Sequence, residues 1–115
     1  MTIDHMIEAA AKASGVPIRR IDDGWEVRFE DMRGNDYEPN INGQQSFELA
    51  AALRISVEHS HAEEARPWVC ASIDGGPLKL TKAFVEDVPD ESQRADRTRL
   101  VILRCAAAQS PKEQA

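Results

Sequence analysis

The chain has 115 residues, of which 42% are apolar and 30% charged, and its formal net charge is −6. This length fits one domain of ordinary size, and the composition argues against wholesale disorder. Phosphate neutralisation needs clustered lysine and arginine, so the acidic balance argues against direct nucleic-acid binding. No run approaches the roughly 18 apolar residues of a membrane span, so we expect no membrane association.

The first predicted element is an amphipathic helix. Apolar residues recur at three- and four-residue intervals between Ile3 and Ala11, which is the helical period. Thr2 suits the N-cap, Gly15 can supply a left-handed stop, and Pro17 prevents continuation. The same N-terminal stretch has early acidic residues and no long apolar core, so we expect no secretory signal.

Extended chain is predicted next, over residues 18–29, with a break at Asp22-Asp23-Gly24. Trp25, Val27 and Phe29 alternate with charged neighbours, which is typical of a strand with one buried face. Residues 31–45 are dense in Asn, Asp, Gly and Pro, so a long loop follows. Loops of this length are often functional.

A second helix is predicted over residues 46–53, with Ser46 or a residue just before it as the N-cap. Its expected buried stripe consists of Phe47, Leu49, Ala50 and Leu53. Three strands then form a meander, at 54–58 with Ile55 and Val57 inward, at 68–73, and from Leu78 through Leu80 to Phe84, with a turn at 74–77. A last helix spans about 92–108, and 109–115 is a frayed tail.

The predicted order is therefore helix, strand or hairpin, long loop, helix, three strands and helix. Short links between neighbouring strands imply antiparallel pairing. The fold class is α+β, in which an antiparallel sheet of three to five strands carries helices on its faces, within one domain over residues 1–108.

The centre of the chain, residues 36–59, reads DYEPNINGQQSFELAAALRISVEH. This run resembles the centre of small phage-encoded proteins of the phage ABA-sandwich type, which include NinX-like proteins. In that family an aromatic-x-Pro step leads through a polar stretch into a helix, a meander follows, and an Arg-containing apolar helix closes the chain. The matching positions are Tyr37-Glu38-Pro39, Asn40 to Gln45, Ala50 to Leu53, Asp96, Arg97, Arg99 and the run LVILRCAAA. The resemblance implies a helix–sheet–helix sandwich of phage or prophage origin, and no general biochemical activity. Tyr37 stands where the family more often has Trp.

Catalytic and metal-binding patterns are weak. His59 and His61 can start a metal site, but a closed site needs three or four converging ligands, and a solvated loop explains both. Cys70 lies in an apolar strand, where a buried thiol is more usual than a nucleophile. Since serine-elbow and phosphate-loop motifs are absent as well, we expect no enzyme, no catalytic residue, no metal and no cofactor.

Two surfaces remain as candidates for binding. The acidic segment from Glu86 to Asp96 can mimic a phosphate backbone, although capping of the last helix explains the same residues. The loop at 31–45 is the stronger candidate, because one aromatic ring and several adaptable amides are typical of recognition loops. Its candidate residues are Asn35, Tyr37, Asn40, Asn42, Gln44 and Gln45. Trp25 and Trp68 can add to this surface, although their strand positions favour a role in the core. A purely structural Ω-loop is the alternative interpretation of residues 31–45.

The leading hypothesis is a non-enzymatic phage or prophage accessory protein that binds a host or phage macromolecule, most plainly a protein, in the bacterial cytoplasm. The alternative is a protein that binds a nucleotide-like or other polar small molecule with the 31–45 loop. A homodimer is also an option, because an edge strand of the meander can pair across a two-fold axis.

Overall fold

A computed structural model describes residues 2–27, 36–73 and 82–110. In chain order they form helix α1 (Ile3–Ser14), strands β1 (Ile18–Ile21) and β2 (Gly24–Val27), helix α2 (Gly43–Leu53), strands β3 (Ser56–His59), β4 (Trp68–Ser72) and β5 (Ala83–Asp87), and helix α3 (Arg94–Ala107). This is the predicted α+β class in the predicted order. None of the described helices is long and apolar enough to cross a membrane.

The described strands divide into two antiparallel sheets. Strands β1 and β2 form a hairpin in which Ile18 lies opposite Val27, and the remaining strands form a sheet in the order β3-β4-β5. Val57 lies opposite Ala71, which in turn lies opposite Phe84, so these three side chains share one face of the sheet. Leu78 and Leu80 of the predicted third strand lie outside the described residues, whereas Phe84 is in β5.

Helix α3 joins two apolar clusters. One of its faces packs on the sheet, where Val101 and Cys105 meet Val69, Ala71 and Val88. Another face packs on α1 and α2, as the second cluster shows; its buried members are Ile7, Ala10, Ala11, Tyr37, Leu49, Ile102, Leu103 and Ala106. The half-buried Ile55 and Val57 contact both clusters, as the predicted inward orientation of these two residues requires.

Helix α1 has the predicted ends. The Thr2 hydroxyl accepts a hydrogen bond from the His5 amide, and Gly15 adopts φ 77°, the left-handed conformation that glycine tolerates best. Helix α3 begins through a short 3-10 turn, Glu91–Gln93, because the Asp90 carboxylate accepts from the Ser92 amide at 3.2 Å. That cap explains why the regular helix starts at Arg94 rather than at the predicted Ser92.

Helix α2 corrects two predictions. Its N-cap is Asn42, whose Oδ1 accepts from the Gln45 amide at 2.9 Å, so the helix begins three residues before Ser46 and takes Gln44 and Gln45 out of the predicted loop. Phe47 is not in the buried stripe, because it is 69% exposed. Leu49 and Leu53 continue the helical period from Ser46, which is 3% exposed, and Phe47 falls outside that spacing.

The β1–β2 hairpin corrects another prediction. Glu26 was expected on the solvated face of its strand, yet it is only 6% exposed. Its carboxylate is ion-paired with Arg19, the residue directly opposite in the hairpin, and its backbone forms an isolated bridge with Asp36. A buried carboxylate is tolerated when a cation and hydrogen bonds compensate its lost hydration, and Arg19 supplies that charge.

Candidate binding surfaces

Residues 36–38 are held by hydrogen bonds to the β1–β2 hairpin and to the side chain of Gln45. The Tyr37 amide donates to the Trp25 carbonyl at 2.7 Å, which ties this segment to the hairpin. The Gln45 side chain then clamps the segment from α2, since its Nε2 donates to the Asp36 carbonyl at 2.6 Å and its Oε1 accepts from the Glu38 amide at 2.7 Å. The segment is thereby fixed at both ends of Tyr37.

These contacts create a cleft of about 690 Å³, which we call the Tyr37 cleft. It is bounded by the end of α1, by Val27 of β2, by the segment from Asp36 and by one side of α2. The described residues that line it are Ser14, Val16, Val27, Asp36, Tyr37, Glu38, Asn42, Gln44, Gln45, Glu48, Leu49 and Ala52. Its volume is in the range of about 300–1,000 Å³ that small-molecule sites occupy.

The structure brings together four of the six predicted site residues, Tyr37, Asn42, Gln44 and Gln45, at this cleft. Asn40 lies apart, in a smaller hollow beside Ile3 and Trp25, and its backbone carbonyl accepts from Arg99 at 3.2 Å. Asn35 lies outside the described residues.

Most of the four residues have a structural task as well. Tyr37 is 5% exposed, so its ring is a wall of the cleft rather than a free recognition group. Burial raises the pKa of Tyr37, a hydrogen bond with Ser14 lowers it, and the nearby Glu48 carboxylate raises it further. Asn42 caps α2, and Gln44 donates to Glu48 at 2.8 Å from an exposed position.

The charge of the cleft is one-sided. Asp36, Glu38 and Glu48 line it, and among its described lining residues there is no lysine, arginine or histidine. Such a lining attracts a cation and repels phosphate. This chemistry is unfavourable for the nucleotide-like ligand that the loop composition suggested.

A second hollow lies on the other side of α2, and we call it the Phe47 groove. It measures about 730 Å³ and runs between α2, the start of α3 and the inward face of β3. The described residues that line it are Gly43, Ser46, Phe47, Ala50, Ile55, Val57, His59, Glu91, Arg94, Ala95, Thr98, Arg99 and Ile102. Most of its surface is apolar, and the exposed Phe47 ring stands at its edge.

The charged residues at the rim of the groove are engaged with one another. Arg94 donates to Glu91 from both Nε and Nη2, and its Nη1 lies 2.9 Å from Nδ1 of His59 and 3.1 Å from the Trp68 carbonyl. The hydrogen bond from Arg94 lowers the pKa of Glu91, with a smaller contribution from the charge of His59. Arg99 is ion-paired with Asp96. The rim is therefore a pre-formed polar frame around an apolar floor.

The remaining sequence candidates are the histidines His59 and His61 and the two cysteines. His59 contacts Arg94, and the described residues contain no group of three or more His, Cys, Asp or Glu that can hold a metal ion. Burial, together with the charge of Glu58, raises the pKa of the half-buried Cys70 thiol, and burial raises the pKa of Cys105 to about 11. Neither thiol has the lowered pKa of a nucleophile.

The acidic segment is bound internally. Glu86 is ion-paired with Arg97 and Arg104, Glu91 with Arg94, and Asp96 with Arg99, while Asp90 caps the 3-10 turn. These contacts account for four of its five carboxylates, all but that of Asp87. The Asp90 cap matches the capping role that the sequence predicted, whereas the arginine pairs were not predicted.

Sequence reasoning missed the Phe47 groove altogether. The available signal was the helical phase of α2, because a helix that starts at Gly43 has Ser46, Leu49, Ala50 and Leu53 on one face and Phe47 off it. Comparison with protein families, with curated proteins and with solved structures finds no match to this chain.

Proposed function

We propose that this protein is a non-enzymatic accessory protein that binds an apolar segment of a protein partner in the Phe47 groove. The observation that carries the proposal is the position of Phe47, whose side chain is 69% exposed beside an apolar groove of about 730 Å³. A large aromatic side chain held in water at the edge of an apolar hollow is typical of an interaction site.

The rim supports a protein segment over a small polar ligand. Arg94 and Arg99 are already held by Glu91 and Asp96, so an incoming anion must compete with a carboxylate already in place. The groove surface that is not already engaged is apolar, and it comes from Phe47 and from the inward face of β3. An apolar side chain or short apolar segment of a partner can bury this surface, and burial of apolar surface contributes about 25 cal/mol per Å².

The identity of the partner rests on the resemblance to phage ABA-sandwich proteins. That resemblance favours a host or phage protein in the bacterial cytoplasm. The net charge of −6 makes nucleic acid a less favoured partner, because like charges on the protein and the phosphates repel.

The test is a tagged pull-down from bacterial lysate, read by mass spectrometry, with two matched surface variants. Phe47→Ser removes the exposed ring from the groove, and Val85→Ser removes a second exposed apolar side chain, 51% exposed, from the other face of the β3-β4-β5 sheet. We expect a partner that the wild type and Val85→Ser retain and Phe47→Ser loses. Equal retention by all three proteins, or no partner at all, rejects the proposal.

A second candidate function is small-ligand binding in the Tyr37 cleft, and the observation in its favour is the convergence of four predicted residues there. Because Asp36, Glu38 and Glu48 set the charge, we expect a polar cation such as an amine rather than a nucleotide. A ligand at 100 times its dissociation constant stabilises the folded protein by about 2.7 kcal/mol, which a thermal-shift screen detects.

The screen compares amines with nucleotides on the wild type, on Glu48→Gln and on Glu58→Gln, a control that neutralises an exposed carboxylate on β3. Stabilisation by an amine that Glu48→Gln alone loses supports the cleft. A response to nucleotides, or one that both variants reduce equally, contradicts the cationic assignment.

A further inference from the structure

The two edges of the β3-β4-β5 sheet differ in how they are protected. Next to β5, the Val88 amide donates to the carbonyl of Pro67, the residue before β4, at 2.9 Å. Because backbone groups alternate in direction along an antiparallel strand, those of Val85 and Asp87 point away from β4. The Arg104 side chain reaches this edge from α3 and donates to the Val85 carbonyl at 3.0 Å. A long cationic side chain on an edge strand is a common means of preventing further pairing.

The edge of β3 is covered by the end of α2 at Ile55, whose amide donates to the Ala50 carbonyl, and has no comparable cover at Val57 and His59 among the described residues. The Ser60 amide donates to the carbonyl of Trp68 in β4 at 3.1 Å. By the same alternation, the backbone groups of Val57 and His59 point away from β4, toward the open side of the sheet. No described strand pairs with that side of β3. The outward amides and carbonyls of Val57 and His59 form a short row that a further strand can extend.

We infer that the β3 edge binds a second copy of this chain, with β3 antiparallel to β3 of the partner across a two-fold axis at Val57. In this register Val57 lies opposite its own counterpart and His59 opposite Ile55. The outward amides of Val57 and His59 then donate to carbonyls of the other copy. The Ile55 amide takes no part, because it already donates to the Ala50 carbonyl at 2.9 Å, so the His59 carbonyl of the other copy receives no bond from it.

The side chains select this register. With the axis at Val57, Glu58 lies opposite Ser56 of the other copy, and a hydroxyl is a suitable hydrogen-bond donor to a carboxylate. Moving the axis to Glu58 places two carboxylates directly opposite one another, which is destabilising. Both Ser56 and Glu58 are exposed, so they are available for this contact.

The difference between the edges also sets the size of the assembly. A chain with two open edges can add copies without limit, but Arg104 occupies the β5 edge here. Pairing of β3 with β3 uses the same surface on both copies and therefore closes at a dimer. The inference goes beyond the proposed function and does not depend on it, because the pairing uses the edge of β3 and the groove uses inward side chains.

The experiment measures mass by light scattering after size exclusion, over protein concentrations from about 1 to 100 µM. Salt is held near 0.15 M, because like net charges oppose association and are screened there. Wild type is expected at twice the 12.8 kDa of one chain. His59→Pro removes an outward amide without touching the ladder to β4, and we expect it to weaken the dimer by at least about tenfold.

Two controls separate the edge from other effects. Asp87→Pro makes the same change at the covered β5 edge and is expected to leave the dimer intact, while His59→Ala removes the contact of the imidazole with Arg94 and keeps the amide. Thermal melts confirm that each variant is folded. A monomeric wild type, a dimer that survives His59→Pro, or equal dissociation by Asp87→Pro overturns the inference.

Discussion

Helix α2 separates two hollows that are built in opposite ways. In the Tyr37 cleft, polar side chains hold the wall together, because Gln45 bonds to the backbone on both sides of Tyr37 and Asn42 caps the helix. In the Phe47 groove, the floor is apolar and the polar residues pair with each other at the rim. Polar residues that look like a recognition loop in composition can therefore serve to hold local structure together. An aromatic ring that a helix leaves exposed, by contrast, contributes little to the fold.

The largest effect expected from this comparison is on Tyr37. Replacing it by alanine empties a buried position in the α1–α2–α3 cluster, so Tyr37→Ala should lower the free energy of unfolding by about 3–5 kcal/mol. Chemical denaturation measures the loss. A cost below about 1 kcal/mol would mean that the ring is a surface group, as the sequence first suggested, and would remove the distinction between the two hollows.

The next largest effect separates the two glutamines of the cleft. Gln45→Ala breaks two hydrogen bonds to the backbone and should cost about 1–3 kcal/mol, whereas Gln44→Ala removes one exposed contact with Glu48 and should stay within about 0.5 kcal/mol. Denaturant midpoints of the two variants give the comparison directly. Similar costs for both would show that the clamp on the segment from Asp36 is not what holds the cleft wall.

The pH dependence of the cleft can be followed through its aromatic wall. Tyr37 is the only tyrosine of the chain, and burial raises the pKa of its hydroxyl above 10.0. The folded state therefore keeps this proton at a pH where the unfolded state loses it, so the contribution of Tyr37 to stability is complete below pH 10 and falls as the pH rises through the folded pKa.

Ultraviolet titration of tyrosinate should show a higher midpoint in native than in urea-unfolded protein. Tyr37→Phe provides the blank. Equal midpoints would contradict the buried position of the ring.

The smallest expected effect on stability concerns Phe47. Since its ring is mostly in water, Phe47→Ser should change the free energy of unfolding by no more than about 0.5 kcal/mol. Thermal and denaturant unfolding measure this, with Leu49→Ser as the buried counterpart on the same helix. A large loss of stability in Phe47→Ser would show that the ring is part of the core, as the sequence analysis predicted. It would also argue against the groove as a docking site.

Much of the fold could be predicted because periodicity and turn chemistry are local. Thr2 and Gly15 specify the ends of α1, and Ile55 and Val57 mark the inward face of β3 from their alternation alone. The errors arose where a distant partner decides the outcome. Glu26 is buried because Arg19 and Asp36 meet it, and no spacing within the strand encodes that arrangement.

The sequence predicted several of the residues that line the cleft, but it did not predict that most of them hold the local structure together. Gln44, Gln45 and Asn42 do lie at one cleft with Tyr37, yet the start of α2 depends on which of several polar residues becomes the cap. Asn42 competes with Ser46 for that place, and the difference of one turn determines which amides face the cleft. The Phe47 groove was missed for a different reason, because Phe47 was assigned to the buried stripe although it falls outside the helical spacing of Ser46, Leu49 and Leu53.

The position of α3 between the two apolar clusters has a consequence for synthesis of the chain. Val101 and Cys105 complete the sheet side, and Ile102 and Leu103 complete the side of α1 and α2. Since α3 is translated after every other described element, neither cluster can close while the ribosome is still adding its residues. The nascent chain then exposes two half-built apolar surfaces, and surfaces of that kind are what chaperones recognise during translation.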